Sequence, residues 1–254
     1  MWSLGLSTAL GLLAWTLHTA TPAAALNGAV INAALMFSMF TWPFKPWNTG
    51  LVPVLTVLVL TSLATRFGRH RKERLGTAEK PRGRSAAQVA ANLGMAALIM
   101  DPSLQTALID THPLAGRTFA SLLALGLAAL AEAAADTVSS EIGQVLGGRP
   151  RMITTLRRVS PGTDGAITLA GTAAGILAAG LVAIAGCLAL HGDTSMLLIS
   201  WAGGVFGLFF DSLLGATLER AGWLNNDAVN FLSTASAVAF ALAMLTVVPH
   251  PGVR

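Results

Sequence analysis

Glu132 and Asp136 lie four residues apart in AEAAADTVSSEIG (Ala131–Gly143), and Ser140 continues the step. On a helix that spacing puts all three on one face. Asp211, Gly215 and Glu219 repeat it in DSLLGATLE, with Ser212 next to Asp211. Asn226 and Asn230 repeat it again in LNNDAVNF, with Asp227 adjacent. Each set closes or opens a strongly apolar run. An acid at the centre of a bilayer costs roughly 2.5–3.5 kcal/mol on insertion scales, and less near the interface. No Lys or Arg occurs between Arg117 and Arg149, or between Arg158 and Arg220. The acids therefore need either a loop arginine folded back onto them or a bound cation. Hard oxygen donors from separate helices suit Mg²⁺, which takes one or two carboxylates and completes its shell with water and substrate phosphates. The plain structural alternative is a set of solvated helix caps, and for Glu219 that alternative stands level with function. His18, His70, His112, His191 and His250 are dispersed and offer no transition-metal spacing.

The stretch GGRPRMITTLRRVSPGTDGAIT mixes glycines, hydroxyls and arginines. Thr154, Thr155, Arg157 and Arg158 are phosphate-binding types, through hydroxyl, backbone N–H and guanidinium donors. Pro161, Gly162 and Gly165 make a tight turn in SPGTDG, and Asp164 is expected to cap the following helix. Basic loops also arise from membrane topology alone, so this stretch leaves both readings open. Neither GxxxxGK[ST] nor GxGxxG occurs, so any nucleotide must be held by the bundle itself. Lys80, Arg82 and Arg84 precede an apolar run that starts with Gln88 and Asn92 on one face, and are expected to reach the same cavity. The rest of that basic patch suits anionic headgroups.

The elements that must position these residues are transmembrane helices. Of 254 residues, 54% are hydrophobic and only 11% charged, against about 25% charged in soluble domains; mean hydropathy is +0.65. The apolar runs are continuous rather than alternating, which selects helices over a barrel. The predicted fold is an all-α, polytopic transmembrane bundle in a single domain, 1–254, of about eight spans, with seven as the alternative. The spans are Trp2–Thr19, Ala23–Phe40, Gly50–Ala64, Ala86–Met100, Thr118–Val138, Ala166–Leu190, Met196–Leu214 and Ala228–Val248. Eight of the 16 Lys and Arg lie between Arg66 and Arg84, and four between Arg149 and Arg158. The positive-inside rule puts both stretches in the cytoplasm and the N-terminus outside. The first run has no positive residue ahead of it, and its removal would put Arg66–Arg84 outside; a span is expected there, not a cleaved signal peptide. This charge pattern argues against nucleic-acid binding, and the single Cys187 rules out an intrachain disulfide. Gly171/Gly175 and Gly203/Gly207 are read as close-packing pairs. The Ala- and Gly-rich sixth and eighth spans are expected to be buried.

ADTVSSEIG, ITTLRRVSPGTDGAIT, DSLLGATLE and LNNDAVNF, in this order, resemble a family of integral membrane proteins that includes the plant phytyl-phosphate kinase. The resemblance runs from about Thr65 to the end; the first 60 residues match only as hydrophobic spans. It implies a kinase that converts an isoprenoid monophosphate into the diphosphate. The family's stretches fall here on Asp136, Ser140, Glu141, Thr154, Thr155, Arg157, Gly162, Thr163, Asp164, Gly165, Asp211, Ser212, Asn225, Asn226 and Asp227. Residues and resemblance together give the following expectations. Asp136, Asp211, Asp227 and Arg157 carry catalysis, and Asp136, Glu141, Asp211 and Asp227 hold Mg²⁺ on a nucleotide, CTP or ATP. Lys80, Arg84 and the remaining hydroxyl, glycine, Asn and Asp164 positions, with Asn230, bind substrate and its phosphates. The prenyl tail lies between the Ala- and Gly-rich spans. The setting is a bacterial cytoplasmic membrane with the site facing inward, membrane lipids are the surroundings, and a homodimer is compatible with the sequence. A transporter using inner-side carboxylates for ion or proton coupling is the rival. It would want acids near the midplane and broken helices in repeated halves.

Overall fold

A computed structural model describes residues 2–78, 83–110 and 119–247. The first half holds helices α1 (Trp2–Thr16), α2 (Pro22–Ser38), α3 (Leu51–Arg66), α4 (Arg69–Leu75), α5 (Ala86–Ile99) and α6 (Pro102–Ile109). The second half holds α7 (Phe119–Leu146), a two-residue ladder of β1 (Arg151–Met152) with β2 (Ala166–Ile167), α8 (Leu169–Ala189), α9 (Thr194–Leu214) and α10 (Asn226–Val247). Local chemistry marks most starts. Thr21 caps α2 ahead of Pro22, Ser85 and Gln88 form a capping box on α5, and Asp101, Thr168 and Asp193 cap α6, α8 and α9. The expected cap by Asp164 is not made: α8 begins later, at Leu169, and Thr168 supplies the oxygen.

The first half of α7, to Ala131, is almost wholly apolar and sits where such a segment must, inside. Every residue from Leu122 to Ala135 is buried, against α3, α5, α8, α9 and α10. The expectation that the sixth and eighth spans are the buried ones is corrected: α8 and α10 are outer helices, with 39% of their apolar windows enclosed against 78% for α7. Small residues of α8 and α9 serve close approach instead. A Cβ on Gly175 would lie 2.8 Å from the Ala135 carbonyl oxygen, and one on Gly204 would lie 2.7 Å from the Ala131 Cβ. This is small-residue packing of membrane helices.

The chain is a polytopic helical membrane protein, but fewer helices reach across than expected. Among the described residues four are long and apolar enough, namely α7, α8, Thr194–Glu219 and α10; joining α3 to α4 across their 63° bend gives up to five. The 17-residue α2 and 14-residue α5 extend only about 25 and 21 Å, short of the ~30 Å hydrocarbon core.

Candidate functional site

The carboxylates converge because three helices bring their polar ends together. α7 continues well past the expected end at Val138, to Leu146, and carries Glu132 and Asp136 into the contact with α9 and α10. The carboxyls of Asp136 and Asp211 are within hydrogen-bonding reach of each other, and Ser233 of α10 lies within reach of both Glu132 and Asp211. Glu132 is 1% exposed. Its Oε1 and the Oδ2 of Asp211 are buried without a hydrogen-bond partner. The fit is tight: a Cβ on Gly207 would lie 2.4 Å from the Glu132 Cγ.

Above this cluster opens a polar cavity of about 250 Å³. Asp136, Ser139, Ser140 and Gln144 form one wall from α7. Asp211, Ser212 and Glu219 form a second, where α9 runs into a π-helical turn at Gly215–Glu219; such turns concentrate at functional sites. The loop Pro161–Ala166 closes the third side, and Thr168 and Asn226 complete the rim. The turn expected at SPGTDG is present, with φ of +82° at Gly162 and +71° at Gly165. At Gly165 the glycine is needed twice, since a Cβ there would lie 2.2 Å from the Ala216 backbone nitrogen. Gly148 also has positive φ, +62°, but faces open space. Gly165→Ala should therefore destabilise the protein more than Gly148→Ala, by about 1–3 kcal/mol, read as thermal unfolding in detergent. Equal losses would mean the loop does not depend on its seat against the π turn.

The cavity gathers Asp136, Ser140, Gly162, Thr163, Asp164, Gly165, Asp211, Ser212 and Asn226 among the expected residues. Others go elsewhere. Thr154, Thr155 and Arg157 are exposed. The backbone bonds Met152 N–H to Arg157 O and Ile153 N–H to Gly165 O fold them into the outer tip of the hairpin, off the cavity. Arg157 is corrected as a residue touching the reacting groups. Glu141 does not line the cavity: five residues beyond Asp136 it faces another way, and its Oε2 accepts from Lys72 Nζ at 2.5 Å. Asp227 sits in the first turn of α10, off the cavity. Asn225 accepts from the Ala228 N–H as a cap, and the Asn230 amide donates to the Asn92 Oδ1 at 3.3 Å. The expected four-carboxylate metal set therefore does not assemble. Among the described residues no group of three His, Cys, Asp or Glu has the geometry to hold a metal unaided. Lys80 lies outside the described residues. Arg84 is near enough for its charge to act on Asp136. Ser139, Gln144 and Ser233 escaped the sequence reading because single polar residues inside apolar helices look like packing; only the two four-residue steps from Asp136 through Ser140 to Gln144 hinted at a longer polar face.

Residues 5–238 match the family described as Integral membrane protein DUF92. The chain belongs to this family. It is the family the four motifs pointed to. Across 223 residues the chain is 29% identical to the chloroplastic protein VTE6 of Arabidopsis thaliana, covering 86% of this chain and 65% of that one. It is 48% identical over 108 residues to an uncharacterized membrane protein of Methanocaldococcus jannaschii, 42% of this chain and 45% of the other. A Synechocystis membrane protein is 30% identical over 220 residues, 83% of this chain and 79% of its own length. The chain thus spans between about half and two thirds of the first two relatives. No solved structure matches this DUF92 member.

Proposed function

We propose that the protein is a membrane-embedded isoprenoid monophosphate kinase, which transfers the γ-phosphoryl group of CTP or ATP to a prenyl or phytyl monophosphate. The observation that carries this reading is the pairing of Asp136 with Asp211 in a polar cavity roofed by a glycine-rich turn, beside an arginine outside it. Two carboxylates with an orphaned buried oxygen fit the donor set of Mg²⁺, which binds through one or two carboxylates and substrate phosphates. When bound, Mg²⁺ would supply neutralisation of the nucleotide's negative charge. The backbone around Gly162 and Gly165, with Thr163 and Thr168, is suited to the nucleotide phosphates, and Ser140, Ser212 and Asn226 to polar contacts at the rim.

The chemistry needs little else. A phosphomonoester is largely dianionic near neutrality, so an acceptor oxygen attacks the γ-phosphorus without a base. The bond from that phosphorus to the β-phosphate oxygen breaks, and the nucleoside diphosphate leaves with the electron pair. Transfer then depends on alignment and on charge stabilisation, which Arg84 supplies from the acceptor side. The basic stretches Arg66–Arg84 and Arg149–Arg158 favour a cytoplasmic position for this end of the bundle. Detergent-purified protein with Mg²⁺, labelled CTP or ATP, and farnesyl, geranylgeranyl or phytyl monophosphate should yield labelled lipid diphosphate. Failure with every donor and acceptor pair would reject the kinase and leave ion-coupled transport as the use of the buried acids.

A further inference from the structure

A second cavity, of about 280 Å³, lies among α1, α2, α3 and α5 and reaches α7 at Ala133. Its walls are mostly apolar, as at Ala14, Val54, Val57, Leu58 and Leu93, with Asn32, Thr61 and Asn92 among them, while Arg66, Arg69 and Arg84 line one end. Arg69 is held by Glu73 at 2.8 Å. Along α3 the lining runs from Val54 to Arg66, about 18 Å at helical rise, which is more than half the ~30 Å hydrocarbon thickness. The volume falls near the small end of the roughly 300–1,000 Å³ of ligand cavities, which suits one hydrocarbon chain better than the two of a bilayer phospholipid.

The two cavities approach each other across α7. Ala133 lines the apolar one and Asp136, three residues on, lines the polar one. Arg84 is anchored at this junction: its backbone N–H donates to the Thr19 carbonyl and its own carbonyl accepts from the Thr21 N–H, both at 3.0 Å.

We propose that this apolar cavity seats the acceptor, a single-chain isoprenoid monophosphate whose phosphate rests against Arg66 and Arg84 and whose tail runs inward toward Val54. The identity of the occupant rests on the kinase reading; the placement rests on the cavity. It moves the tail from the sixth and eighth spans to α1, α2, α3 and α5. It also gives the transfer its direction, because a phosphate at Arg84 lies between the greasy cavity and the Asp136–Asp211 pair. Gly28 lines the tail path, and a Cβ there meets only Val89 Cγ1, at 3.7 Å, so a larger side chain would enter the cavity without forcing the backbone.

Purified protein is irradiated with a diazirine-tagged geranylgeranyl monophosphate, without nucleotide, and labelled peptides are identified by mass spectrometry. Label is expected on α1, α2 and α3. Untagged geranylgeranyl monophosphate should displace it, whereas inorganic phosphate, geranylgeraniol and phosphatidic acid should displace at least tenfold less well. Gly28→Phe and Arg66→Gln should each lose about tenfold or more in apparent affinity for the probe, with unchanged thermal unfolding and unchanged nucleotide half-saturation. Label confined to α8 and α10, equal displacement by phosphatidic acid, or wild-type probe affinity in both variants would overturn the placement, even in an active kinase. Specific, phosphate-dependent label in α1–α3 without diphosphate formation would support the placement while rejecting the kinase.

Discussion

Asp136→Asn should lower diphosphate formation by about 10³-fold, the upper range for removing one electrostatic anchor, while leaving the fold intact or firmer. The two effects have a common origin. Glu132, Asp136 and Asp211 act on one another electrostatically inside the bundle, and among the described residues lining their cavity there is no Lys or Arg. Such an arrangement opposes folding; on the kinase proposal it is kept for the cation it binds, the usual trade of stability for activity. An amide of the same shape removes one repelling charge and one cation donor together. Unfolding in detergent without metal should therefore rise by a few degrees, about 2–4 °C per kcal/mol gained in a chain of this size. Mg²⁺ should raise the melting temperature of the wild type and not of the variant. Near wild-type turnover in Asp136→Asn would remove the acidic pair from the mechanism.

The second large effect concerns Lys72. It is 1% exposed, and its ammonium donates to the Ala64 and Thr65 carbonyls at 3.0 and 2.6 Å and to the Glu141 carboxylate. Those two carbonyls end α3, where helical partners run out. One side chain thus finishes α3, folds α4 beneath it and ties both to α7. Lys72→Met should cost about 3–5 kcal/mol, because it strands a largely enclosed carboxylate and the Thr65 carbonyl. Adding Glu141→Leu should restore most of that loss, since the stranded charge disappears with it. Additive losses in the double variant, measured by thermal unfolding, would show that Glu141 is not held mainly by Lys72.

Hydrophobic runs and loop charge made the helical membrane class legible, and they placed α5 within a residue of its observed ends. The end of α7 was misplaced because Asp136, Ser139, Ser140 and Glu141 read as an interface; the partners that allow helix to continue there, on α4, α9 and α10, are distant in sequence. The seven-residue α4 was invisible for a related reason. RHRKERL looks like a solvated basic stretch, and nothing local marks Lys72 as its buried member. At the site, the four-residue spacing of acids found Asp136 and Asp211. Residue type and the family resemblance together also drew in Glu141, Asp227 and Arg157, whose directions depend on helix phase and on the hairpin at Arg151–Ile167.

The enclosure of Glu132 in α7 by residues of α9 and α10 bears on how the chain is made. α7 leaves the ribosome before either of them exists, so its acids must wait in the insertion machinery or against lipid until Gly207 and Ser233 arrive. A polypeptide stopped after α8 would keep a hydrophobic segment whose carboxylates lack their final neighbours, and membrane quality control should remove it faster than the full chain.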